Sequence, residues 1–400
     1  MALEVRADAL AVSPGVIPAA GDGDQPIRPR SVHPDDLLVL AGAAVASFCL
    51  ALLIYEGLIP DAGIAGFGLW WFVAFVTMYW LAVRRVEGRL IAKDRLWTVL
   101  IAAGGIATVV PLVAIITFVI VKGIGTITPH FFFQTAEFCG QLDSATCGGI
   151  GHAIIGTLEE VGIAVVIAVP LGVLCAVFLN EIGGPLRRPV RLIVDAMSGV
   201  PSIVAGLFIY AVWVVGSGHG FSGFGAALAL SILMLPTITR TSEEVLRLVP
   251  GGLREGALAL GASEWRTVWA VVLPTARSGL ITAVILGVAR AVGETAPLIL
   301  TSFGSSVFNA SPLSGPQEAL PHYVYQYIRY NPGTGPYQRA WSAALVLIVL
   351  VLGLFTLARV IGARTSIEAR QKRAMRRRPK PTGPARPGEV ETELTGMRAR

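Results

Sequence analysis

The sequence predicts an all-α polytopic membrane protein, and three observations carry that prediction. Hydrophobic residues make up 54% of its 400 positions and charged residues only 14%, with a mean hydropathy of +0.67. A soluble chain of this length needs more charged surface. Several apolar runs reach the ~20 residues that cross a bilayer as helix. They lack the two-residue alternation of membrane β-strands. The net charge of +6 comes from Lys and Arg gathered between the runs, which is a pattern of membrane orientation rather than of nucleic-acid binding.

Residues 1–36 are polar and rich in Pro, Gly and Asp, without the basic-then-apolar layout of a cleaved signal. They read as a disordered cytoplasmic tail. The first span is expected at Leu37–Ile59 and the second at Ala65–Val83, where Trp70, Trp71, Tyr79 and Trp80 read as interfacial anchors or as lipid-facing bulk. A basic loop, Arg84–Arg95, precedes a third span at Trp97–Val121. A polar loop, 122–152, leads to a fourth span at His152–Leu179, with Pro170 placed to kink it. The short basic loop Asn180–Arg191 follows, then spans at Leu192–Val215 and Gly223–Ile238. The seventh span is expected at Leu280–Leu300 and the eighth at Trp341–Ile361, with a polar loop, 301–339, between them. The tail from Arg364 is basic and then Pro-rich; its run Arg370–Lys380 reads as a stop signal that sets orientation, or as a site for anionic membrane lipid.

With the N-terminus inside, 28 of the 32 Lys and Arg fall on cytoplasmic segments and 3 on external ones, leaving Arg290 at membrane depth. That asymmetry argues for eight spans with both termini cytoplasmic. It puts Cys139 and Cys147 in an external loop, where they are either bridged or free thiols. Cys49 and Cys175 lie in apolar spans as packing residues. The five His residues are scattered, so no metal site is expected.

Two stretches carry chemistry. In the cytoplasmic segment, Thr241 and Glu244 have capping-box spacing for a short helix that Pro250, Gly251 and Gly252 would end. Leu253–Leu260 reads as a second helix, with Gly261 suited to its left-handed cap. Ser263 can cap a third helix ending before Pro274. In the seventh span, Arg290 and Glu294 are four residues apart and share a face. An always-charged guanidinium at bilayer depth must face protein or a wet cavity, and its donors suit phosphate or carboxylate oxygens. The pair reads as an anion-pathway site or as a buried structural ion pair.

Glu255-Gly256-Ala257, Gly261 and Val271-Val272-Leu273-Pro274 resemble, with full spacing, the EAA signature of ABC importer permeases; Gly256 and Val271 are mild departures. Ala289–Leu298 (ARAVGETAPL), Asp195–Tyr210 (DAMSGVPSIVAGLFIY), Arg240–Gly261 and Gly156–Gly172 resemble segments of the PstA-type permeases of the phosphate-specific ABC transporter. The resemblance covers about Trp97–Arg364. It implies a MetI-like core of six helices at 97–363, with external loops 122–152 and 301–340 and a coupling loop at 241–276. Two additional spans and the basic loop at 37–96, the tail 1–36 and the tail 364–400 fall outside the family pattern.

By position, the resemblance makes Arg290 and Glu294 transport residues; the hydroxyls of Thr295, Ser202 and Ser198 read as neutral donors along the path or as ordinary helix hydrogen-bonding groups. It assigns Glu255, Gly256, Ala257 and Gly261 to coupling with a cytoplasmic ATPase. It implies a phosphate importer in the bacterial cytoplasmic membrane, built with a PstC-type permease, a PstB-type ATPase dimer and a PstS-type binding protein. This chain lacks a GxxxxGK[ST] motif, so no cofactor is expected in it, and ATP-Mg belongs to the partner ATPase. Alternatives are a permease for another oxyanion, sulfate or molybdate, and an ion-driven secondary transporter. A membrane enzyme using Glu159, Glu160 or Glu294 is less favoured, because no nucleophile or metal cluster accompanies them; a solvated end of the fourth span accounts for Glu159 and Glu160.

Overall fold

The computed structural model describes residues 34–58, 63–140, 142–330 and 332–364. Of the expected tails, 1–36 and 364–400, residues 34–36 and 364 are helical and the rest lie outside the described residues. Among the described residues, seven helices are long and apolar enough to cross a membrane, or eight if one bent pair counts as a span. The chain divides into two compact units, residues 1–113 and 114–400.

The first unit holds α1 (Pro34–Leu58), α2 (Gly63–Val86) and most of α3 (Arg89–Gly123). Ala43, Tyr79, Val83 and Ala92 form its small core. Tyr79 is buried and packs rather than anchors, while Trp71 stays exposed with its indole N–H donating to the Ala44 carbonyl at 3.3 Å. Trp70 stays exposed. The basic stretch Arg84–Arg95 is mostly helix, not loop. Arginines favour helix, and the turn is confined to Glu87 and Gly88, whose φ of +91° suits glycine. α3 leaves Ile101, Ile106, Val110 and Leu112 exposed, a surface that only lipid or a partner protein would cover.

The second unit continues through α4 (Pro129–Phe133), α5 (Gly151–Val177), α6 (Arg187–Ser198), α7 (Ser202–Ile209), α8 (Gly223–Arg247), α9 (Gly251–Ala259) and α10 (Glu264–Thr267). It ends with α11 (Leu273–Val292), α12 (Ala296–Thr301), α13 (Leu320–Tyr327) and α14 (Gly335–Arg364). Ala164 and Ala168 of α5 pack on Ala227, Leu230 and Met234 of α8, with Ala291, Val292 and Leu298 beside them. Small residues permit this close approach, as membrane helices require.

Three expected boundaries are revised. The fifth span, expected at Leu192–Val215, is two segments: α6, then α7 extended to Gly216 by a π-helical stretch, with a bend of 105° between them. Pro201 lacks an N–H and disfavours helix at Val200, and Gly199 adds no helix propensity. α6 turns Arg191 and Asp195 onto charged partners of α8 and exposes Leu192 and Ile193.

The sixth span does not stop near Ile238. α8 runs on to Arg247, and Thr241 is no N-cap: its hydroxyl donates to the Thr237 carbonyl at 2.6 Å. The third short helix does not end before Pro274. Ser263 accepts from the Arg266 N–H as its cap, and the helix passes through π-helical Val268–Val272 into α11, a continuous Glu264–Val292 span. The π-helical turn, together with the position of Pro274 at the start of α11, accommodates the missing N–H.

At the end of the unit opposite the α9 hairpin, residues 129–140, 142–150, 302–330 and 332–334 fold over the helix ends. Cys139 and Cys147 are joined by a disulfide. The buried Arg339 guanidinium donates to the carbonyls of Cys147 at 2.6 Å and Ser144 at 3.3 Å. Glu160 is not at a solvated terminus: it is 1% exposed, and the Glu159 carboxylate accepts from Gln317. The 302–319 loop covers this end of α5, which local sequence did not reveal. Beside it, the Glu318 carboxylate meets His322 Nδ1 at 2.7 Å; burial pushes that carboxyl above its ordinary value, partly offset by His322.

Candidate functional site

The apolar run 280–300 is interrupted where its charges lie. α11 ends at Val292, and Gly293, Glu294 and Thr295 form a break before α12, whose second residue is Pro297. Proline suits a first turn because its missing N–H has no partner there anyway. Arg290 therefore sits in the last turn of a spanning helix rather than in the middle of one. Its Nε lies 3.8 Å from Glu294 Oε1, with the two side chains 47% and 20% exposed. The pair is loose and open on one side. A closed structural salt bridge would be shorter and shielded. The five guanidinium donors are only partly engaged.

α7 lies alongside this break. A Cβ on Gly206 would stand 2.7 Å from the Cα of Pro297, so the contact of α7 with α12 depends on glycine at that position. Ser202 is one turn before Gly206 on the same α7 face. It is half-buried at the helix start just after the bend. Among the described residues, Ser202 and Thr295 hydrogen-bond neither charge. The Ser198 hydroxyl donates within its helix to the Val194 carbonyl at 2.9 Å.

From Arg290, Leu286 and Thr282 follow at four-residue intervals down one face of α11. Both line a cavity of about 430 Å³ whose α8 wall carries Arg240, Thr241 and Glu244. Beyond it lies an ion cluster that motif reading missed. The fully buried Glu243 meets Arg191, Arg240 and Arg247, the last at 2.7 Å, and Arg240 also reaches Asp195. Only the fold reveals it, since Arg191 and Asp195 come from α6 and the others from α8.

The hairpin is a surface device. α9 buries none of its residues; Glu255 and Gly256 are exposed and Ala257 half-buried. Gly261, at φ +81°, donates to the Leu258 carbonyl at 2.9 Å while Ala262 donates to Ala257 at 3.1 Å. This doubly bonded glycine cap sets a rigid turn.

A family model described as binding-protein-dependent transport system inner membrane component matches residues 168–367. The phosphate transport system permease protein PstA of Mycobacterium leprae (strain TN) is 39% identical over 276 residues, covering 68% of this chain and 90% of that one. PstA 1 of Mycobacterium tuberculosis (strain CDC 1551 / Oshkosh) is 40% identical over 261 residues, 65% of this chain and 85% of that one. The chain belongs to the PstA-type permeases of the binding-protein-dependent transport family. A bacterial alginate ABC transporter, solved with its alginate pentasaccharide-bound periplasmic protein, shares the fold at a TM-score of 0.51 and 15% identity, over 72% of this chain and 98% of that one. In this PstA-type permease the family match begins within α5 and runs through α14, the break at 293–295 and the α9 hairpin included.

Proposed function

We propose that this chain is the transmembrane permease subunit of an ATP-driven importer of inorganic phosphate and forms half of its pore. The observation that carries the reading is the break after α11, which leaves Arg290 half-exposed in the last turn of a spanning helix and loosely held by Glu294. The names of its relatives support phosphate as the anion. A PstC-type permease would supply the other half, a PstB-type ATPase dimer the ATP-Mg chemistry, and a PstS-type protein the phosphate. Both termini face the cytoplasm in this reading, as the charge asymmetry favours.

Glu255, Gly256, Ala257 and Gly261 form the surface against which the ATPase acts. Closure of the ATPase dimer pushes the hairpin and tilts α8 and α11, which flank it. Phosphate reaches Arg290, whose donors replace part of its hydration shell and whose hold on Glu294 loosens in exchange. Ser202 and Thr295 stand beside the break as neutral donors.

The test is uptake of radiolabelled phosphate by the complete complex in proteoliposomes. Arg290→Ala should lower uptake by about 10- to 100-fold, as expected for losing hydrogen bonds to a charged partner. Arg290→Lys should recover part of it. Full uptake by Arg290→Ala would reduce the pair to a structural contact. Competition of the label by excess sulfate would point to a broader oxyanion permease.

A further inference from the structure

The hairpin must pass its motion to the membrane helices, yet α9 adds no buried side chain to the apolar core beside it. The apolar cluster at this end joins Ala176 and Val177 of α5 to Leu246, Val249, Val272 and Ala276. Among the described residues, no α9 side chain belongs to that cluster, and none is buried. One side chain of α9 reaches across instead. Arg254 Nε donates to Glu181 Oε2 at 2.9 Å and its Nη2 to Glu181 Oε1 at 2.7 Å, a two-point fork. The same guanidinium donates to the Val249 carbonyl at 2.8 Å and the Leu246 carbonyl at 2.9 Å, at the end of α8. Glu181 lies in the π-helical stretch that continues α5, and Asn180 donates to it at 2.6 Å.

We propose that Arg254 and Glu181 form the joint through which movement of α9 is transmitted to α5 and α8; the inference rests on the transport reading above. The geometry suits that role. A planar guanidinium binding a carboxylate at two points fixes orientation as well as distance, which a single ammonium contact cannot do. Glu181 is only 7% exposed, so solvent does not screen the pair as it would a surface bridge. Bonds from one side chain to the ends of two helices make α9 pull on both together. α5 and α8 in turn pack along their lengths through Ala164, Ala168, Leu230 and Met234. Arg254 is a positioning residue: it touches neither the anion path nor the break at Arg290.

The experiment measures ATP hydrolysis and phosphate uptake by the whole complex in proteoliposomes. Arg254→Ala and Glu181→Ala should still co-purify with the ATPase and hydrolyse ATP at the unaltered rate. Phosphate moved per ATP hydrolysed should fall about tenfold, the scale of coupling through a packed network. The double variant should be no worse than the worse single one, because both remove one contact. Arg254→Lys and Glu181→Gln should keep part of the ratio. If either alanine variant fails to assemble, Glu181→Gln, which conserves shape, reads the ratio in its place. An unaltered ratio in the variants, or additive losses in the double variant, would overturn the joint alone. An unaltered complex that hydrolyses ATP but takes up no phosphate would overturn the transport reading, and the inference with it.

Discussion

Replacing Gly206 with alanine should disturb the site without touching a charge. The added Cβ would stand 2.7 Å from Pro297 Cα, 3.2 Å from Pro297 Cβ and 3.3 Å from a Leu300 methyl. The nearest atom is backbone, held in α12 by a proline, so no rotamer change relieves the overlap. Ordinary carbon contact needs about 3.5–4.0 Å, so α7 and α12 must part by about 1 Å. Overpacking of this kind costs about 1–3 kcal/mol. The displaced segment begins at the break holding Glu294 and Thr295, so the 3.8 Å Arg290–Glu294 separation changes with it. Melting of the purified complex and phosphate uptake should both fall in Gly206→Ala. Gly162→Ala, in α5 with nothing within 4 Å of its Cβ, should leave both near the unaltered values. A Gly206→Ala complex with unaltered melting and uptake would refute both the tight contact and its role in positioning the break.

Other predictions follow from the ends of the bundle. Gly261→Ala should cost about 1–2 kcal/mol for placing a side chain at φ +81°. Gly261→Pro, which cannot reach that φ and loses the 2.9 Å bond to Leu258, should abolish coupling to the ATPase; unimpaired uptake would sink the coupling role. Removing the Cys139–Cys147 bridge, whose sequence separation is 8, should cost about 2.5 kcal/mol by loop-closure entropy. A reductant should therefore lower the melting temperature of the unaltered protein but not that of Cys139→Ser/Cys147→Ser, and an equal response from both would count against the bridge. Glu318 gives a pH dependence. Burial raises its folded carboxyl above the ordinary 4.5, so the folded chain keeps the proton to higher pH than the unfolded chain does. Its contribution to stability is full below 4.5 and declines as pH rises through the folded value. Melts of Glu318→Gln over about pH 4 to 8 should lack that decline; an unchanged profile would assign it to another group.

Much of this protein is legible along the chain because its signals are local. Apolar runs longer than a bilayer's thickness mark the membrane class, and the Lys and Arg asymmetry suggests a direction. Gly261 marks the hairpin turn, since a left-handed residue selects glycine wherever it falls. Arg290 and Glu294 stand out because charge is costly in lipid, whatever the helix does around it. The remaining features depend on what comes into contact. Hydropathy averaged over a bilayer's length does not separate a straight span from one bent at Gly199–Pro201 or broken at Gly293–Thr295, because the averaging window runs across the break. Glu160 reads as a solvated helix end until the 302–319 loop is seen to cover it. Gly206 meets Pro297, Glu243 gathers arginines from two helices, and Arg254 reaches Glu181 across 73 positions. Such pairings join residues far apart in the chain, so periodicity and motif spacing carry no trace of them, and only the packing of the helices brings them together.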